Sequence, residues 1–211
     1  MNSNIKIAAV AAFFAIGVSA YAQQGFFRPE VAYVLPATKI GYSEAKLKGA
    51  AGYGVAGGAV FGAQDEHEIG LSLSMFNTNA SESTAEPVNF AGTQYSSGSD
   101  SIKVKAMPVL LNYRYYFGAK TDTTRFYVGP SIGFTHMKGT ETLVGNRPGG
   151  IIDILESGDT SNGFSGALSL GVAVKLADKT DLDIGYRYFY SKAFDGNFKA
   201  NNLYTGITFK F

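Results

Sequence analysis

The sequence ends Tyr204-Thr205-Gly206-Ile207-Thr208-Phe209-Lys210-Phe211. Side chains alternate along an extended backbone, so Ile207, Phe209 and Phe211 share one face and Tyr204, Gly206, Thr208 and Lys210 the other. A strand with one greasy face and one polar face sits between two different surroundings. Here the greasy face is expected to meet lipid at a membrane boundary.

Working back from this octapeptide, the same period-2 alternation recurs. The eight alternating stretches fall at about 25–35, 50–63, 68–75, 102–117, 125–136, 164–176, 182–190 and 204–211. Short polar turns at 64–66, 118–124 and 177–180 alternate with longer connections at 36–49, 77–101, 137–163 and 191–201. The long connections are rich in Ser, Thr, Asn, Gly and charge, which are loop formers. Short turns at one end and long loops at the other are the asymmetry of outer-membrane barrels. The chain is therefore predicted to be all-β: an eight-stranded, antiparallel, up-and-down transmembrane β-barrel. Both termini are expected on the periplasmic side, with the long loops outside the cell.

Alternation alone does not say which face points inward, but volume does. The interior of an eight-stranded barrel is just wide enough for side chains to fill. One face carries Phe, Tyr, Leu, Ile or Val at nearly every position, for example Phe126, Val128, Ile132 and Phe134; the other carries small residues such as Gly129, Ser131 and Gly133. Packing the bulky face inward would overfill the lumen. Turned outward, so much apolar surface is tolerable only in lipid. The charges agree, because Arg28, Glu30, Glu68, Arg114, Asp183, Arg187 and Lys210 all fall on the small face. A cation turned to lipid at mid-membrane would cost about 2–4 kcal/mol. The three acids are expected to pair with Arg28, Arg114, Arg187 or Lys210 as a polar plug.

Aromatic rings recur near both predicted strand ends. Phe27, Phe61, Phe117, Phe126, Phe209 and Phe211 would form one girdle, and Tyr33, Tyr53, Phe134, Phe164, Tyr188 and Tyr190 the other. Pro29, Pro108 and Pro130 interrupt predicted strands and call for bulges or skipped ladder bonds. Lys103 and Lys105 fall on the lipid face, so they are expected above the membrane in an extended hairpin.

Residues 1–22 read as a secretory signal peptide: Lys6, an apolar run at 7–18, and an A-x-A cleavage site at Ala20-Tyr21-Ala22. A single barrel domain over 23–211 follows. With no cysteine, neither a disulfide nor lipid attachment to an N-terminal cysteine is expected. Lys and Arg (18) nearly balance Asp and Glu (17), which leaves no basic excess for nucleic acid.

With the strands placed, the chain resembles the small eight-stranded outer-membrane β-barrel family of OmpA-, OmpX-, OmpW- and opacity-type proteins. The resemblance rests on residues 126–133, residues 182–188 and the closing strand, where Tyr204, Gly206, Phe209 and Phe211 match the family's C-terminal signature. That signature implies recognition by the barrel-assembly machinery. Members are structural, adhesive, serum-resistance or small-solute-handling proteins, so the fold leaves the role open. Outer-membrane lipid and lipopolysaccharide are the expected surroundings, with an extracellular ligand the sequence does not name. A monomer is expected.

Little points to chemistry. No metal-ligand spacing, phosphate-cradling loop or cofactor motif is present, and no enzyme is expected. His67 falls in a turn and is expected to be solvated. His136 falls where the fifth strand leaves the membrane, within range of Glu141, Asp159 or Ser165; a lipid-modifying or proteolytic site there is one alternative. An OmpW-like conduit for small apolar solutes is another. Among the loops, Lys39, Lys46 and Lys48 with Glu44 make the first basic. The apolar run 149–155 in the third is expected to cover the barrel mouth, ahead of extending a hairpin or presenting a binding strip.

Overall fold

The computed structural model describes residues 24–40, 45–84, 88–90, 93–95, 97–146, 152–193 and 196–211. The signal peptide with Ala20 and Ala22, Glu44 and residues 149–151 lie outside them, as does the side chain of Lys39.

Eight long strands close into a ring: β1 (Gln24–Pro36), β2 (Ala50–Phe61), β3 (His67–Thr84), β4 (Ser97–Phe117), β5 (Thr124–Asn146), β6 (Ile152–Ala177), β7 (Thr180–Ala193) and β8 (Gly196–Lys210). Each pairs antiparallel with its sequence neighbour, and β1 pairs with β8 to close the cylinder. Closure leaves no free edge in the barrel wall. At the seam, Gly25 and Phe211 exchange both backbone hydrogen bonds, at 2.9 and 3.0 Å.

The bulky face points out. Phe126 and Phe134 on β5 are 63% and 67% exposed, while Tyr127 between them is buried in the lumen. Phe134 packs edge-on against Phe164 of β6, with ring centroids 6.0 Å apart. The short turns are tight. Gly62 and Gly118 adopt φ of 97° and 100°, a conformation that favours glycine. A carboxylate then closes each turn: Glu66 accepts from the Gln64 N–H at 2.8 Å, and Asp122 from the Ala119 N–H at 2.8 Å.

The prolines are absorbed without a register slip. β1 and β8 pair at Phe27↔Phe209 and next at Glu30↔Gly206, skipping Pro29. β3 and β4 skip from Leu73↔Val109 to Phe76↔Ala106, across Pro108. β4 and β5 skip from Asn112↔Ser131 to Tyr115↔Val128, across Pro130. Each proline keeps its full ladder on the other side, at Val55, Thr135 and Leu168 respectively.

The long connections differ most from expectation. Most of 137–163 is paired hairpin, with β5 running to Asn146 and β6 starting at Ile152. Much of 77–101 likewise belongs to β3 and β4, and 191–201 to β7 and β8. The outer faces of these segments carry mainly Ser, Thr, Asn, Gly and Lys instead of bulky apolar residues, so the apolar rhythm that marks a membrane strand disappears, although Thr78, Ala80, Phe198 and Ala200 stay buried on the inner face. Ile152 to Leu155 pair with Asn146 to Leu143 and extend the hairpin, and Ile154 is exposed rather than folded over the mouth.

Candidate functional site

The lumen is the one place where charged and aromatic side chains from all around the ring converge. Strand alternation puts Arg28 and Glu30 (β1), Glu68 (β3), Arg114 (β4), and Asp183 and Arg187 (β7) inward at one level. All six are buried, with Arg28 at 1% and Asp183 at 0% exposure.

Three arginines meet three acids. Arg28 reaches Glu68 with Nη2–Oε1 at 2.9 Å and Glu30 with Nε–Oε1 at 2.9 Å. Arg114 donates to Asp183 Oδ1 at 3.0 Å and to Glu30 Oε1 at 3.4 Å. Arg187 donates to Glu30 Oε2 at 3.0 Å. The remaining acceptor capacity is used by hydroxyls: Tyr116 donates to Glu68 Oε2 at 2.8 Å, and Thr208 donates to Asp183 Oδ2. Aromatic faces cover the guanidinium planes. Arg114 lies 4.5 Å from the Tyr127 ring centroid, Arg187 4.5 Å from that of Tyr204 and Arg28 5.0 Å from that of Phe26. Balanced charge and satisfied hydrogen bonds are the conditions under which buried ions are tolerated.

Lys210 is not brought into this cluster. It points inward but sits nearer the turn end, where it pairs with Asp181 at 2.6 Å. There the mouth is a cup of about 250 Å³ lined by residues of both signs, among them Asp65, Lys120, Arg125 and Lys175. Arg125 ties the cup to the first turn by donating to the Gln64 and Asp65 carbonyls at 3.0 and 3.1 Å.

Toward the hairpin end the lumen becomes apolar. Asn112, Ser72 and Ser131 form a small bonded set just above the charges. Beyond them Phe76 stacks on Phe198 and Phe189 meets both edge-on, with centroids 5.9–6.4 Å apart, packed with Val34, Leu110 and Met137. Leu47, from the first connection, is buried in this cluster, and a Lys48 N–H to Asn79 carbonyl bond of 2.7 Å ties its segment to β3. Among the described residues, cover at this end comes from Leu47 and Phe198, and Ile154 contributes none. Neither Phe76, one position past the third expected strand, nor Phe198, within an expected connection, was legible as a lumen residue. Large lumen residues are accommodated by glycine opposite them: a Cβ on Gly171 or Gly185 would lie 2.5–2.6 Å from the Tyr127 hydroxyl. Between the charged and apolar layers lies a cavity of about 30 Å³ bordered by Glu30, Arg187 and Asn202.

The histidines are elsewhere. His136 faces outward, with its Nδ1 2.8 Å from Asn162 Oδ1. Its expected partners stand on the opposite face of the sheet: Ser165 is buried in the lumen against Thr135, and Glu141 and Asp159 share the parity of the inward-facing Met137. His67 is not freely solvated; it stacks on Phe61 at 5.1 Å and bonds the Tyr113 hydroxyl at 2.8 Å. Lys46 and Lys48 are exposed. Among the described residues no group of three or more His, Cys, Asp or Glu is placed to hold a metal ion.

Of the signature residues, Tyr204 and Gly206 face the lumen, whereas Phe209 and Phe211 face out. Tyr204 shares a 2.8 Å hydroxyl contact with Tyr127 and receives Arg114 at 3.3 Å, so it belongs to the plug as well as to the last strand.

Comparison with curated protein sequences returns no match. Among solved structures, Neisserial surface protein A superimposes with a TM-score of 0.53 at 14% identity, covering 89% of this chain and 97% of that one. The outer membrane protein OprG from Pseudomonas aeruginosa gives 0.50 at 16% identity, covering 90% and 97%. These likenesses establish a shared barrel fold. The profile of the outer membrane protein beta-barrel domain matches residues 8–211, nearly the whole chain, and to that family this closed eight-stranded ring belongs.

Proposed function

We propose that this protein is a non-conducting, non-enzymatic barrel with a structural or surface-interaction role, such as adhesion or envelope integrity. The observation that carries this is the lumen: six buried charges in mutual contact on one level, capped by an apolar layer. Barrels of this size fill their interior with side chains, and the work of such proteins falls to the surface they display. The termini face the periplasm and the tall hairpins of β3 to β6 face outward from the cell. The final strand, through Tyr204, Gly206, Phe209 and Phe211, serves as the handle for the barrel-assembly machinery. An export signal at 1–22, cleaved after Ala22, precedes the mature chain.

A conduit for small apolar solutes is the second function with an observation in its favour. The cavity above the charges also touches the outward residues Tyr53 and Met75 and the inward Pro108, beside the break in the β3–β4 ladder. Its volume of about 30 Å³ suits a water rather than a solute. Liposome swelling and apolar-solute uptake separate the two. Rates equal to those of protein-free liposomes are expected; uptake that rises with protein density would favour the conduit.

A further inference from the structure

The outer face of the tall hairpins carries cations and almost no anions. Lys103 and Lys105 of β4 and Lys138 of β5 are all exposed on that face. Lys105 stands directly opposite Lys138, and Lys103 opposite Thr140. Directly opposed residues lie about 5 Å apart at Cα, where like charges destabilise the pair. None of the three lysines has an ion pair or hydrogen bond among the described residues. Their cross-strand neighbours are Asn77, Asn79 and Thr160, which are neutral. The acids of this region, Asp100, Glu141 and Asp159, take the inward parity instead. Among the described side chains the one outward carboxylate on these strands, Glu156, is four positions beyond Thr160. This arrangement is an uncompensated basic triangle, not a mixed solvated surface.

Its height is informative. Lys105 lies four positions above Val109, which pairs with Phe134, itself opposite Phe164 in the aromatic belt. With about 3.3 Å per residue and a tilt near 45°, that is about 9 Å above the belt, within the headgroup layer. We infer that Lys103, Lys105 and Lys138 form a binding site for the phosphate groups of lipid in the leaflet around the hairpin end. The ammonium groups converge on an anion that relieves their repulsion, and Asn77 and Asn79 supply neutral hydrogen-bond donors beside it. This rests on the proposed orientation, which puts the hairpins in the outer leaflet.

The test uses the full barrel in phosphatidylcholine nanodiscs. The chain has no cysteine, so Ser83→Cys on the same face offers one thiol for a donor dye. Energy transfer is read to an acceptor-labelled bis-phosphorylated glycolipid and to its dephosphorylated form. Excess transfer is expected for the phosphorylated lipid alone. Lys103→Gln, Lys105→Gln and Lys138→Gln together should abolish the excess, a loss on the order of 100-fold in affinity from three near-surface amines. The matching triple Arg variant should keep it, and heat-shifted mobility in gels reports folding of both. Equal transfer to both lipids, or an excess that survives the Gln substitutions, overturns the proposal. Orientation is read separately, from labelling of Ser83→Cys on intact cells by a membrane-impermeant maleimide. An unlabelled thiol overturns the outer-leaflet placement even if the nanodisc result holds.

Discussion

Arg114 contacts Asp183, Glu30 and the Tyr127 ring at once, and no other side chain would satisfy all three. Its planar fork supplies several donors in fixed directions, so Lys is not a conservative replacement. Arg114→Ala leaves buried acid uncompensated and should cost about 3–5 kcal/mol, measured by urea unfolding in lipid vesicles. Gly171 makes the complementary case. An added Cβ would press on the Ile184 carbonyl oxygen and, at 2.5 and 2.6 Å, on the Tyr127 hydroxyl and ring, so Gly171→Ala should cost about 1–3 kcal/mol, and Tyr127→Phe in the same background should return only the hydroxyl's share. The inward positions of Arg28, Glu30, Glu68, Arg114, Asp183 and Arg187 were legible because charge on the small face of an alternating strand has nowhere else to go. The place of Lys210 was not. Parity gives a face but not a height, and Lys210 lies too near the strand end to reach the central level.

β5 and β6 rise well beyond the belt, and the outer faces of their upper halves answer to water. There Glu141 sits opposite Ile102. Burial and the nearby Asp100 carboxylate push its carboxyl above the usual Glu value. The folded hairpin therefore holds that proton more tightly than the unfolded chain. Stability is greatest below the ordinary Glu pKa and falls as pH rises through the raised one. Glu141→Gln should slow amide exchange in 138–146 relative to the native hairpin at pH 7, and the ratio should approach one below about pH 4. These upper halves were read as loops because Ser, Thr, Asn and Gly there lack any apolar rhythm. The membrane segments were legible because lipid on one side and a narrow lumen on the other impose one. At the other end, Phe211 packs over Gly25 across the seam. Phe211→Ala should lower the heat-modifiable, folded fraction in cell membranes, while the purified chain still refolds in detergent.

At the scale of the molecule, two constraints agree. Phe126 and Phe134 on one strand are eight positions apart, about 19 Å along the membrane normal at a 45° tilt, so with their rings they bracket an apolar band of about 25 Å. Within that band the cylinder is closed by matched charges and above it by packed phenylalanines, so the wall and its filling explain one another. Fold class followed from volume, because only one of the two faces fits inside an eight-stranded ring. The role did not, because it lies in surfaces that many barrels vary freely. Ion conductance across a planar bilayer tests the sealed lumen most directly. The barrel inserted alone should show no stepwise current above the bare bilayer, at any salt concentration or voltage the bilayer withstands. Steady ohmic steps from the native chain would mean that the charges line a path instead of closing it.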